Sequence, residues 1–349
     1  MKVTQEKFGE YQGKDVTAYT LTNNNGYEVT CLDYGCIISK LLVPDQNGTF
    51  ENVVLGFDRL EDYHNYSSYF GATIGRVAGR IDKAAFQLDG ETYKLPVNDG
   101  QNHLHGGHKG FDKVIWDTRV IDQKDKVGLE FSYFSPDGEE GYPGNLRVKV
   151  IYTLNDLNEF SIAYEGEADQ TTLLNLTNHT YFNLSGHLKR DVLNHYLTMD
   201  ASAYLPLTKQ LIPMGELASV ENTDFDFRKR RQIISGAQSN HEQNILAGNG
   251  YDHPFVLNTN HQQEIVLEDR ESGRNLVVET DEPCVVLYTG NQLGDDFSIR
   301  GVQSKKYLGL CLETQKHPDA INHPSFPSIM LKQGDVYQST TTYSFNINI

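Results

Sequence analysis

The stretch Leu146-Arg-Val-Lys-Val-Ile-Tyr-Thr-Leu154 decides the fold class. Leu146, Val148, Val150, Tyr152 and Leu154 fall at a period of two, and Arg147, Lys149 and Thr153 lie between them. Successive side chains of an extended chain point to opposite faces, so this alternation predicts a half-buried antiparallel strand. Short runs of the same kind recur on both sides of it. Turn signals separate them, at Asp45 to Gly48, Asp89-Gly90, Pro136-Asp-Gly138, Asn155 to Asn158 and Gly334-Asp335. The clearest hairpin is Phe86-Gln-Leu-Asp-Gly-Glu-Thr-Tyr-Lys-Leu95. Its Asp-Gly pair readily takes the positive φ angles that a two-residue turn matched to strand twist demands. The final run, Val336 to Ile349, reads as another strand.

Helical periodicity is scarce. Its best candidate lies within Phe227 to Leu246, where the polar content leaves helix and loop both open. Twenty Tyr and sixteen Phe against four Met and one Trp suit half-buried pleated surfaces. No Pro/Ser-rich linker, charge block or internal repeat divides the chain. The expectation is an all-β protein of one domain, residues 1–349.

A chain of 349 residues can bury a full core, so size excludes no function. The net charge of -17 and pI near 5.1 repel phosphate backbones and anionic lipid, which argues against nucleic acid and membrane partners. A neutral or cationic small molecule fits that field better. Met1 to Glu10 is polar, and no apolar run is long enough to span a bilayer, so a cytoplasmic protein is expected. Cys31, Cys36, Cys284 and Cys311 lie in apolar segments without metal-ligand or disulfide spacing. Reduced, buried thiols follow.

Five segments carry polar groups in patterns that ask for chemistry. Gly75-Arg-Val-Ala-Gly-Arg-Ile81 follows Gly71 with glycines at every fourth position. It has neither a dinucleotide nor a phosphate-loop spacing, so it is either a tightly packed loop or a source of one arginine, Arg80 or Arg76, for a ligand. Asn102-His-Leu-His-Gly-Gly-His108 would place His103 and His105 on one face if extended, and zinc completed by His108 is then one option beside structural histidines. In Leu173-Leu-Asn-Leu-Thr-Asn-His-Thr-Tyr-Phe-Asn-Leu184, Asn175, Asn178 and Asn183 must find hydrogen bonds to backbone or ligand, because an unpaired buried amide costs about 1–3 kcal/mol. His179 at its centre titrates near neutrality and can give or take a proton. Gly248-Asn-Gly-Tyr-Asp-His-Pro-Phe255 presents Asp252 and His253 on a turn, where Asp often serves purely local backbone bonding. Tyr307-Leu-Gly-Leu-Cys-Leu-Glu-Thr-Gln315 ends an apolar strand on Glu313, either a solvent-facing carboxylate or a desolvated general base.

Taken in order, these segments resemble the galactose mutarotase (aldose 1-epimerase) family over nearly the whole chain. Further matching stretches are Phe111-Asp-Lys-Val-Ile-Trp116, Ser135-Pro-Asp-Gly-Glu-Glu-Gly-Tyr-Pro-Gly144, Tyr288-Thr-Gly-Asn291, Pro318-Asp-Ala320 and Phe326-Pro327. The resemblance implies a large antiparallel β-sandwich with an open cleft on one sheet. It implies that Glu313 is the general base and His179 the general acid, that Arg80, His105 and Asp252 hold sugar hydroxyls, and that neither metal nor cofactor is needed. The partner it implies is a free sugar such as galactose or glucose, bound by a monomer or homodimer. Two positions depart from the family pattern: Gly79 stands where Asn is common, and Val286 where a sugar-contacting Gln is common. Three rival readings remain: a sugar-cleaving enzyme using Asp252 and Glu313 as a carboxylate pair, a sugar-binding protein without catalysis, and a zinc hydrolase.

Overall fold

Strand Leu146–Asn155 buries Leu146, Val148, Val150, Tyr152 and Leu154 and turns Arg147 and Lys149 to solvent in the computed structural model, which describes residues 1–347. It belongs to a nine-stranded antiparallel sheet that runs, in spatial order, through Asp117–Asp122, Lys126–Ser135, Leu146–Asn155, Glu159–Ala168, Tyr337–Ile347, Arg274–Thr280, Ile265–Asp269, Tyr196–Met199 and Arg231–Gln232. The expected C-terminal strand is thus present from Tyr337 to Ile347, and Asn348 and Ile349 lie outside the described residues. The Asp89-Gly90 hairpin is also present, with Ala85–Leu88 paired to Glu91–Lys94 and positive φ at both turn residues.

A six-stranded sheet faces the nine-stranded one: Tyr181–Phe182, Leu310–Gln315, Cys284–Tyr288, Asp252–Leu257, Ala201–Tyr204 and Ala218–Ser219. Alternation decides what each face does. Leu310, Leu312, Val285, Leu287 and Phe255 join the main hydrophobic core with Val148, Val150, Leu276, Val278 and Phe345 of the nine-stranded sheet. The intervening Glu313, Gln315, Val286, Tyr288, Asp252 and Pro254 point the other way and line a cleft. A five-stranded antiparallel meander, Lys2–Tyr11, Lys14–Thr22, Glu28–Leu32, Ile38–Pro44 and Phe50–Asn52, completes the sandwich-like arrangement.

Within Phe227 to Leu246 two short helices form, Ile234–Ala237 and Glu242–Leu246. A seven-residue helix, Leu60–Tyr66, escaped sequence reading because it is too short to show a period and has no side-chain cap. No helix among the described residues is long and apolar enough to cross a membrane. All four cysteines are free and buried.

Candidate active site

The cleft over the six-stranded sheet has a volume of about 600 Å³ and brings Arg80, His105, His179, Asp252 and Glu313 to one wall system. These five residues come from five separated segments. Each is held differently. Glu313 sits on the cleft face of Leu310–Gln315, in register with Val286 of the neighbouring strand. It is buried, not a solvent-facing strand end. Burial first, and then the nearby Asp252, push its carboxyl well above the usual carboxylate range, and Arg80 works in the opposite direction.

His179 lies between the two-residue pairings Thr177–Asn178 and Tyr181–Phe182. Its backbone is pinned, since its N–H donates to Ala72 and its carbonyl accepts from Gly71. The ring is walled by Tyr69 at 5.5 Å, Tyr181 at 5.1 Å and Tyr288 at 6.3 Å between centroids. Its Nε2 lies 3.7 Å from Glu313 Oε1. Burial pushes the imidazole down to about 4.

His105 departs from the extended chain that its spacing suggested. Its φ of +51° turns the ring to the cleft, while Gly106 and Gly107 continue with positive φ. Its Nδ1 accepts the Gly79 N–H at 3.1 Å, so a neutral ring carries its proton on Nε2. Burial, and then the nearby His179, lower its pKa well below the ordinary imidazole value, which keeps it neutral. His103 goes elsewhere: Pro96 carbonyl and Tyr142 hydroxyl occupy its two ring nitrogens, both at 2.8 Å. The His103, His105 and His108 zinc arrangement therefore does not form. The donor atoms that do converge, from His105, His179 and Glu313, lie within 4.8 Å of one another and could enclose a cation.

The two arginines of the glycine loop separate clearly. Arg76 is buried and spends its guanidinium on Ser135, Thr172 and the carbonyls of Ser135, Pro136 and Pro143. Arg80 reaches the cleft with its Nε on Asp99 Oδ2 at 2.7 Å. Asp252 faces the cleft at the start of its strand, and burial raises its carboxyl pKa against the lowering effect of Arg80. The three asparagines brace backbone: Asn175 bonds both N–H and carbonyl of Lys316, Asn178 donates to Gly71 carbonyl, and Asn183 donates to Arg190 and Leu308 carbonyls. Both departures from the family pattern line the cleft. A Cβ on Gly79 would stand 2.9 Å from Pro318 Cβ, so proline fills the place a side chain would take.

Asp99, Tyr69 and Tyr288 were missed by sequence reading. Tyr69 and Tyr288 line the cleft and Asp99 holds Arg80, and scattered tyrosines and a lone Asp before Gly100 give no local sign of either.

A family model described as Aldose 1-epimerase matches residues 17–344. The chain is 44% identical to galactose mutarotase of Bos taurus over 99% of both chains, and 43% identical to that of Homo sapiens over 99% of both. It is 38% identical to aldose 1-epimerase of Escherichia coli K12, over 95% of this chain and 96% of that one. Among solved structures, galactose 1-epimerase from Lactobacillus acidophilus superposes with a TM-score of 0.90 at 32% identity, covering 100% of this chain and 99% of the other. Shared sequence and shared fold over essentially the full length leave one conclusion: this chain belongs to the aldose 1-epimerase family and is an isomerase.

Proposed function

We propose that this enzyme interconverts the α and β anomers of free aldoses such as galactose and glucose, with Glu313 as general base and His179 as general acid. The 3.7 Å approach of His179 Nε2 to Glu313 Oε1 on one wall of the cleft carries the reading. The two oxygens that must exchange protons, the C1 hydroxyl and the ring oxygen, are bonded to the same carbon. A carboxylate and an imidazole this close can therefore address both.

Glu313 takes the proton of the C1 hydroxyl while the C1 to ring-oxygen bond breaks and C1 becomes an aldehyde. His179 Nε2 gives its proton to the departing ring oxygen. Rotation about C1–C2 and ring closure on the other face return both protons. The pair carries one mobile proton at the start and at the end, so no cofactor is needed to balance the step. Each positioned proton-transfer group contributes about 10²–10⁴ in rate, or about 3–5 kcal/mol. Arg80, Asp252 and the Nε2–H of His105 supply donors and acceptors for the remaining hydroxyls, as a neutral polar ligand requires. The relatives named galactose mutarotase support the sugar class.

Polarimetry and proton exchange NMR between anomers test the reading directly. Glu313→Gln keeps the shape and removes the base, and its turnover is expected to fall by about 10²–10⁴. Near-normal turnover would overturn the assignment. His105→Ala is expected to raise KM and lower kcat together, because the imidazole holds the sugar in the reactive pose.

A further inference from the structure

Both ring nitrogens of His179 face side chains of the same strand. Cys311 and Glu313 are two residues apart on Leu310–Gln315 and therefore project from one face. Glu313 meets Nε2, and Cys311 Sγ lies 3.4 Å from Nδ1. Tyr69, Tyr181, Tyr288 and, at 5.3 Å between centroids, the imidazole of His105 surround the rest of the ring. Among the described residues, these two side chains are the polar partners of the ring nitrogens. Cys311 is fully buried and is not part of the cleft wall, so it reaches the sugar only through His179.

We infer that Cys311 is a positioning residue whose sulfur accepts the Nδ1–H of His179, fixing the tautomer in which Nε2 alone carries the mobile proton. The inference rests on the acid role proposed for His179. The proton cycle supplies the reason. If Nε2 gives and recovers the proton, Nδ1 must keep its hydrogen throughout, in both the neutral ring and the imidazolium. It then needs an acceptor of its own, and Cys311 Sγ is the polar atom that meets Nδ1. Sulfur is a weak acceptor, so it holds the ring without stabilising the imidazolium as a carboxylate would. Burial keeps the thiol uncharged, which leaves it in that weak-acceptor state. His179 therefore remains a strong donor to the ring oxygen.

The test combines nitrogen-15 histidine NMR of the wild-type protein with polarimetry of Cys311→Ala and Cys311→Ser. The wild-type spectrum is expected to show the Nδ1–H tautomer for His179, assigned by its loss in His179→Asn. Cys311→Ala is expected to lose about tenfold in kcat with KM unchanged and to show mixed tautomers. Cys311→Ser, which retains an acceptor, is expected to recover most of the rate. The magnitude is that of one hydrogen bond lost next to a group that becomes charged. An Nε2–H tautomer in the wild type, or an Ala variant with unchanged kcat, overturns the inference. Unimpaired turnover in His179→Asn would instead overturn the acid role itself, and the tautomer measurement needs no Cys311 variant to fold.

Discussion

Glu313 and His179 share one proton in the proposed mechanism, and burial shifts the two groups in opposite directions. The carboxyl is pushed well above its usual range, chiefly by burial, and the imidazole down to about 4 for the same reason. Above about pH 4 and below the raised Glu313 range the pair holds a single proton, which these shifts place on Glu313, and the reactive form is the tautomer in which that proton has passed to His179 Nε2. As pH falls through about 4 a second proton enters on the imidazole and the base is lost. As pH rises through the elevated Glu313 value the pair loses its only proton and the acid is lost. The enzymatic rate, after subtraction of spontaneous mutarotation, is thus expected to stay flat on the acid side well below the ordinary imidazole value of about 6.5. An acid limb centred near that ordinary value would contradict it. Sequence pattern alone could not have found these shifts. The family resemblance pointed to Glu313 and His179, but whether Glu313 ended in solvent or buried in a cleft depended on which face of its strand the neighbouring sheet covers. For the same reason Arg76 and Arg80, four residues apart in one loop, were equivalent in sequence and opposite in use.

Strands and loops were legible to different depths. Leu146–Asn155 and the Asp89-Gly90 hairpin could be read because period-two alternation and turn chemistry are local signals. The Asn102 to His108 loop could not, because its shape depends on a close approach to another loop. A Cβ on Gly106, whose φ is +83°, would stand 1.8 Å from the Gly75 carbonyl oxygen. Gly90 has nearly the same backbone, φ +84°, but no atom within 4 Å of its Cβ position. The pair separates backbone cost from packing cost. Gly90→Ala is expected to lower stability by about 1 kcal/mol, the conformational cost alone, and to leave kcat/KM unchanged. Gly106→Ala must also push two loops apart, which moves His105 beside it. Its denaturation midpoint is expected to fall further, and kcat/KM to fall with it. Equal midpoints for the two variants, measured by urea titration, would show that the loop contact contributes nothing.

At the level of the whole molecule, strands distant in sequence become neighbours, as Glu159–Ala168 and Tyr337–Ile347 do in the nine-stranded sheet. No local pattern carries that pairing, so the sequence alone pointed to strands without fixing their order. We propose that residues 1–349 fold as one aldose 1-epimerase domain, and Arg274 is the place to test it. This buried guanidinium starts a strand of the nine-stranded sheet and bonds Glu51 of the five-stranded meander at 2.9 Å. It also donates to the carbonyl of Pro44, at the end of another meander strand, and to that of Leu184, just past the Tyr181–Phe182 strand of the six-stranded sheet, both at 3.1 Å. Burial raises the pKa of Glu51, but Lys189 and Arg274 outweigh it and hold the carboxylate below its usual range. Removing the arginine leaves that buried carboxylate with the half-exposed Lys189 as its one cationic partner among the described residues. Breaking a buried pair from one side costs about 3–5 kcal/mol, far more than an exposed pair would. Arg274→Met should therefore lower the urea midpoint sharply, and the double variant Glu51→Gln/Arg274→Met should recover part of the loss because no charge is left unpaired. If the three sheets form one cooperative unit, fluorescence and circular dichroism will follow a single transition in all three proteins. Two resolved transitions in the wild type would show that the meander unfolds on its own and that the chain is more than one domain.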